Sequence, residues 1–568
     1  MIASEILEKR REQMFPKLTQ AQIARLEVCG GRVETHAGDV LVEPGERLRS
    51  IFIVLAGSLE ILLRSTTGED LLYLLGPGDF SGEMSTLRGS VAFARIRVRE
   101  GGSVLAVDRE KLREVVQTDA ELSELFMRAF ILRRVALIST GSADVMLLGS
   151  QHSADTLRLR EFLTRNAYPY INIDLENNTD VQALLDRFHV RLEDVPVVIC
   201  HGSRIFRNPS NEELADCLGM NPVLDDTIVH DLLIVGAGPA GLAAAVYAAS
   251  EGLDVRMLET TAPGGQAGTS SRIENYLGFP TGISGQALAG RALSQAQKFG
   301  ANLSVAASVL RLNCDGRPYR VQLADGHSIS ASLILIASGA QYRIPQLDNI
   351  QRFMGAGIYY AATHLEAKLC QGEEIAIVGG GNSAGQAAVF LASSCQHVHI
   401  LVRADGLADS MSRYLIRRIE QSPNITLHSR TQLTALEGSD RLERLSWRTQ
   451  SPNSTPETHE IRHVFLMTGA APHTRWLQGC VALDDRGFVK TGPDLSAADL
   501  AIARWPLPRS PYLLESSVPG VFAAGDARSG SVKRIASAVG EGSMSVQFMH
   551  RALRELSVPR ITATSASS

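Results

Sequence analysis

The sequence predicts an α/β protein with two Rossmann-like nucleotide-binding domains, preceded by a small β roll and a compact α/β unit. Three observations carry this. A strand, a glycine-rich turn and a helix follow one another twice, in LLIVGAGPAGLAAAVYAAS (232–250) and in EEIAIVGGGNSAGQAAVFLA (373–392). Short apolar runs between dense turn signals fill the first hundred residues. Strand and helix patterns alternate through 142–222.

The chain has 568 residues, enough for three or four domains at about 150 each. Its net charge of −5 and pI near 6.3 argue against a dedicated nucleic-acid binder, which would be basic. The seven cysteines, at 29, 200, 217, 314, 370, 395 and 480, include no two that are three apart. This gives no CxxC pair and no metal-ligand spacing, and a scattered, odd-numbered set suits a reducing cytoplasm. Leu232 to Ser250 is uncharged, but its glycines and proline fit a nucleotide-binding turn better than a membrane span.

Residues 1–140 form the first domain. VEPGERLRS, LAGSLEI, TTGED, GPGDFSGE and REGGS punctuate short apolar runs, and helical periodicity follows. In the unit at 142–222, VMLLGS, YPYINIDL and PVVIC are expected strands. TLRLREFLTRNA, VQALLDRFHV and NEELADCLGM are expected helices. Two further domains fill 228–558 as three segments, 228–345, 346–471 and 472–558, and the tail 559–568 is expected to be disordered.

The first cradle is Gly236-x-Gly238-Pro239-Ala240-Gly241. The first glycine makes a tight turn, the second admits a pyrophosphate to the backbone, and the third lets helix and strand pack closely. The helix N-terminus adds N–H groups and partial positive charge. Glu259, about 20 residues on, is placed to accept from ribose hydroxyls. The second cradle, Gly379-x-Gly381-Asn382-Ser383-Ala384, leads to a strand, HVHILV, expected to end in Arg403 in place of an acid. A cation there favours a 2′-phosphate, hence NADPH over NADH.

These motifs, with APGGQA (262–267), IENYLGFP (273–280), IASGA (336–340), VFAAGDA (521–527) and KRIASAVGEG (533–542), resemble the low-molecular-weight thioredoxin reductase family over about 228–558. The resemblance implies an NADPH domain inserted within an FAD domain, and a homodimer. It implies that Gly236, Gly238, Gly241 and Glu259 hold the FAD adenosine and pyrophosphate, with Gly265, Gln266 and Asn275 on the flavin side. Gly525 and Asp526 fall to the ribitol or pyrophosphate, and Arg534, Ile535 and Ala536 to the flavin ring. Where the family often has Gln, Arg534 puts a cation near the flavin, suited to its reduced anion.

In that family a CATCDG-like stretch carries the redox disulfide. Here its two sulfur positions fall on Ala361 and His364, and Cys370 has no partner in sequence. His364 reads either as a proton donor to reduced flavin or substrate, or as a packing residue. Tyr359 and Tyr360 read either as rings stacked on the flavin or, in preference, as core or rim aromatics. The unit at 142–222 resembles a thioredoxin- or glutaredoxin-like domain, with Pro196 at its cis-proline. Its CxxC should lie in QHSADTLRLREFL, which holds His152, Ser153 and Asp155 and no cysteine. Cys200 and Cys217 read as buried apolar residues.

Residues 15–135 resemble cyclic-nucleotide-binding domains through VEPGERLRSIFIVLAGSLEIL and LGPGDFSGEMSTL. Gly82, Glu83 and Leu87 match the phosphate cassette, with Glu83 on the ribose 2′-hydroxyl. The arginine that holds the cyclic phosphate is replaced by Ala92. Its loss costs about 1.5–3 kcal/mol, which counts against a cyclic nucleotide. Arg95, three residues on, should face the other side.

Together these readings predict a cytoplasmic, FAD-dependent NAD(P)H oxidoreductase without a redox CxxC. Its acceptor is a small molecule or a protein, and it has no nucleic-acid, membrane or metal partner. Two alternatives stand beside it: a regulatory or scaffold flavoprotein sensing redox state or a nucleotide, and a thioredoxin-disulfide reductase by similarity.

Overall fold

The computed structural model describes residues 10–65, 68–140, 145–150, 153–175, 194–200, 204–222, 224–408, 410–451, 454–468 and 470–557. His152, the expected helix VQALLDRFHV at 181–190 and the tail lie outside the described residues.

The first sheet joins β1 (Gly30–Thr35), β2 (Val40–Val42), β3 (Ser50–Ser65), β4 (Gly68–Leu75) and β5 (Arg95–Asp108). Long β3 and β5 pair antiparallel with repeated register shifts, which curl the sheet into a roll. Phe80, Phe126 and Phe130 pack edge-to-face and stacked beneath it. The last two lie on α1 (Ala120–Thr140). The predicted roll followed by helices is present.

The second sheet has spatial order β7-β6-β8-β9, from β6 (Val145–Gly149), β7 (Ile171–Asp174), β8 (Val197–Cys200) and β9 (Arg204–Arg207). β6 and β7 are parallel and the other pairs antiparallel. The Val195–Pro196 bond is cis, at the predicted proline. α2 (Ala154–Arg165) packs on this sheet, and Cys200 and Cys217 are buried as expected.

The third sheet has seven strands. β12 (Asn302–Ser304), β11 (Val255–Leu258), β10 (Val229–Val235), β15 (Ser328–Ile336) and the late β26 (Val521–Ala523) are parallel. β14 (Tyr319–Leu323) and β13 (Val309–Asn313) extend it antiparallel. β10 is apolar through Leu232, Leu233 and Ile234, all fully buried, as a strand covered on both faces must be. Ala-rich α3 (Pro239–Ser250) packs closely on the final helix, Ile535–Ser557. A Cβ at Gly542 would lie 2.1 Å from Ala240 O, so the contact needs glycine.

Between β15 and β26 the chain leaves and returns through β16 (Ala340–Tyr342) and β25 (Ala470–Pro472), an antiparallel pair. What this pair carries is a five-stranded parallel sheet of order β17-β24-β18-β19-β20. Its strands are β17 (Ile358–Tyr359), β18 (Glu374–Val378), β19 (His397–Leu401), β20 (Ile425–His428) and β24 (His463–Leu466). A three-stranded antiparallel sheet, β21 (Thr431–Glu437), β22 (Arg444–Thr449) and β23 (Glu457–His459), caps it. Among the described residues no helix is long and apolar enough to cross a membrane.

Candidate functional site

Gly236 has φ +106°, and a Cβ there would lie 2.3 Å from Ala337 O. A Cβ on Gly241 would lie 1.9 Å from Gly236 O. Gly238 is different: its backbone is ordinary and nothing lies within 4 Å of where a Cβ would sit. Two glycines therefore build the turn, and the third leaves open space at the N-terminus of α3, where Pro239 takes the first turn and Ala240 is buried. That vacancy is what a pyrophosphate requires. Glu259 closes the loop: its Oε2 accepts from Ala237 N at 2.9 Å and its Oε1 from Thr261 N at 3.0 Å.

The second cradle repeats the geometry. Gly379 has φ +145° with Met467 O 2.3 Å from its ideal Cβ, while Gly381 faces open space. Ala384 is fully buried, Ser383 is exposed, and Asn382 Oδ1 accepts from Ser412 N at 2.8 Å. Arg403 is exposed, two residues beyond β19 rather than at its end.

Gly265 (φ +53°) and Gln266 start a one-turn helix, and Gln266 Nε2 donates to Ala340 O at the crossing strand. Asn275 is exposed. Gly525 N donates to Glu541 Oε2 at 2.7 Å. Burial raises the Asp526 carboxyl above the usual carboxylate range, with nearby Lys533 opposing. Arg534 is exposed, its carbonyl accepts from Ala538 N at 3.0 Å, and Ile535 and Ala536 open the final helix.

The expected sulfur positions are built as a helix start. Thr363 caps α4 (His364–Leu369) and Glu366 closes a capping box. Burial raises the Glu366 carboxyl. His364 is exposed, its ring edge-on to Phe390 at 5.2 Å. Ala361 is half-buried. Tyr359 is a core residue stacked on His463, and Tyr360 is half-buried, as expected.

The second cysteine-free station stands beside the first. Ser153 caps α2 where the CxxC was expected. An ideal Cβ on Gly355 would lie 3.2 Å from Ala154 Cβ, and Leu157 joins the apolar cluster containing Tyr359, Ala362 and Cys370. At the other end of α2, Arg165 Nη2 donates to Gly265 O at 3.1 Å. The small unit thus touches both cradle-bearing sheets through the helix that bears no thiol.

Two cysteine readings need correction. Cys370 does have a partner: Cys395 Sγ lies 3.5 Å from its own, brought there from 25 residues away by strand order. Cys314 and Cys480, 166 residues apart, are disulfide-bonded with Cα atoms 5.8 Å apart. That bond weakens the cysteine argument for a reducing compartment. Linear spacing reveals CxxC pairs but not pairs made by folding.

In the roll, Ala92 is buried and lines the pocket, whereas Arg95 points away and pairs with Glu43 and Glu69. Glu83 Oε2 lies 3.5 Å from Arg134 Nη1, a partner the sequence did not reveal.

Comparison with known proteins places this arrangement. The profile described as pyridine nucleotide-disulphide oxidoreductase matches residues 230–542. The chain belongs to this family. FAD and a reduced nicotinamide nucleotide are the cofactors of these oxidoreductases, and both open cradles fit dinucleotides. The cyclic nucleotide-binding domain profile matches residues 32–119. A thioredoxin reductase of Bacillus subtilis (strain 168) is 29% identical over 330 residues, 58% of this chain and 96% of that one. NADPH-dependent thioredoxin reductase 3 of Arabidopsis thaliana is 30% identical over 368 residues, and the match spans 62% of this chain and 65% of the plant protein. The solved thioredoxin reductase of T. acidophilum is 27% identical with a TM-score of 0.50, covering 57% of this chain and 99% of its own.

Proposed function

We propose that this oxidoreductase takes a hydride from NAD(P)H onto FAD and delivers the electrons to an acceptor other than a dithiol of its own chain. The carrying observation is the pair of adjacent stations without sulfur: Ala361 and His364 at one, and capped Ser153 beside Asp155 at the other. FAD supplies the two-electron chemistry. Gly238 and Gly381 give the two dinucleotides room, and Asp526 with Arg534 lies on the flavin side. A quinone taking one hydride and one proton becomes a hydroquinone and balances the reaction. Exposed Arg403 supports NADPH as donor.

We read residues 1–140 and 142–222 as two accessory domains, and 346–471 as an NAD(P)H domain inserted in the FAD domain of 228–345 and 472–558. The antiparallel crossing β16–β25 suits a hinge between the two. Arg418 reaches from the inserted domain to Glu274 at 2.6 Å and holds the present arrangement. We place the protein in the cytoplasm, supported by the five cysteines that stay free beside the Cys314–Cys480 bond, and read it as a homodimer. Ile131, Val135 and Ile138 expose an apolar stripe at i, i+4 and i+7 on α1, which supports contact with a second copy. A Glu83 already facing Arg134 and an alanine at 92 support a roll that binds no cyclic nucleotide.

The test is steady-state oxidation of NADPH and NADH with thioredoxin or a small quinone. Quinone turnover without thioredoxin reduction is expected; robust thioredoxin reduction by this chain alone overturns the reading. A regulatory flavoprotein is the second reading, favoured by the docking of the small unit across both cradle-bearing sheets. Slow or absent flavin bleaching on anaerobic mixing with NADPH selects it.

A further inference from the structure

We propose that the pocket of the N-terminal roll binds a hydrophobic monocarboxylate, held by Arg133. Most of the wall is apolar, with Leu48, Ile61, Leu72, Leu75, Phe93 and Leu137, and Tyr73, Ser81, Glu83 and Thr86 add polar groups to it. One cation lines it. Arg133, on α1, is only 4% exposed. Its Nε donates to Met14 O at 2.9 Å, and its Nη1 to Phe80 O at 2.9 Å and Gly82 O at 2.8 Å. The rings of Phe15 and Phe80 flank it at 4.8 and 4.5 Å.

Two features of Arg133 remain unsatisfied. Its Nη2 is buried with no hydrogen-bond partner. No carboxylate among the described residues forms an ion pair with it: Glu83 faces Arg134, and Asp79 accepts from Gly76 N at 2.8 Å. Burial lowers its pKa only to about 10, so it is cationic at neutral pH. Asp79 and Glu83 act on the guanidinium only without contact, and a buried cation with no carboxylate in contact is costly, a cost that flanking rings offset only in part. A ligand that brings a carboxylate to Nη2 and a hydrocarbon body to the walls satisfies both.

The same pocket is poorly suited to a cyclic nucleotide. A sugar and phosphate bring several polar groups, and buried polar groups must find partners. Ala92 offers the phosphate none, and Glu83 is engaged by Arg134. Half-buried Tyr73 also lines the pocket and interacts with the guanidinium. An alcohol of equal length gains the walls but not the charge-assisted contact, so acid over alcohol reads out Arg133 directly.

The experiment is calorimetric titration of the FAD-loaded full chain with octanoate, 1-octanol and cyclic AMP. Octanoate should bind one per chain and about ten- to a hundredfold more tightly than octanol, the range of a hydrogen bond to a charged group. Arg133→Gln should reduce octanoate to the level of octanol. Ala94→Phe fills the pocket from another wall without touching Arg133 and should abolish both. If Arg133→Gln does not fold, the acid–alcohol comparison in the unaltered protein and Ala94→Phe still decide. Equal affinity for acid and alcohol, no binding of either, octanoate binding unchanged by Ala94→Phe, or tighter binding of cyclic AMP overturns the proposal.

Discussion

The Sγ atoms of Cys370 and Cys395 lie 3.5 Å apart in the core of the five-stranded sheet domain, and both side chains are buried. They are the thiol pair that linear spacing concealed, yet they are poorly placed for a relay. Cys370 ends the helix that His364 begins, about 9 Å away at the usual rise. Its hydrogen bond with Cys395, followed by burial, pushes the Cys370 pKa far up, while the same hydrogen bond lowers that of Cys395, so the two share one proton and both stay buried away from any partner. Replacing both by alanine should leave NADPH–quinone turnover within about twofold. The cost should be thermal stability, about 1–2 kcal/mol of cavity cost. Steady-state rates and a melting curve check this.

Gly238 separates a binding role from a folding role. Nothing lies within 4 Å of its ideal Cβ, whereas at Gly241 the Cβ meets Gly236 O at 1.9 Å. Gly238→Val should leave the melting temperature of the FAD-free protein unchanged and weaken FAD binding at least tenfold, about 1.4 kcal/mol. Gly241→Val should lower both. Gly381→Val should raise KM for NADPH while FAD stays bound.

Arg534 stands immediately before the final helix. If its cation steadies reduced flavin, Arg534→Gln should lower the two-electron potential by about 30 mV, equivalent to about 1.4 kcal/mol. Potentiometric titration against reference dyes measures it. An unchanged potential removes Arg534 from the flavin's surroundings.

The histidines on the five-stranded sheet predict a pH dependence. His428 lies 3.1 Å from His399, and burial first, then neighbouring histidines, lower its pKa below the usual 6.5. The unfolded chain therefore takes up this proton more readily than the folded one. Stability from this group is complete above pH 6.5 and falls as pH drops toward the folded pKa. Melting temperatures from pH 7.5 to 5.5 should fall, and less steeply in His428→Gln.

The sequence was most legible where chemistry and backbone geometry constrain each other. The two glycine turns and the roll lie where local pattern put them, and the cis proline at 196 lies where the thioredoxin-like resemblance implied it. Arg95 faces away from the pocket as its spacing from Ala92 implied. What pattern missed depends on contacts between distant segments. Cys314–Cys480, Cys370 with Cys395, and Glu83 with Arg134 each pair residues separated by at least 25 positions. Arg133 was missed for a related reason: on an apolar helix an arginine reads as an exposed charge until packing shows it buried.

Whether any sulfur pair accepts electrons from the flavin is measured most directly by anaerobic titration with NADPH, following the flavin absorbance to completion. The account predicts bleaching after one equivalent of NADPH, two electrons per FAD. An end point at two equivalents, four electrons per FAD, would reveal a second redox centre and contradict it.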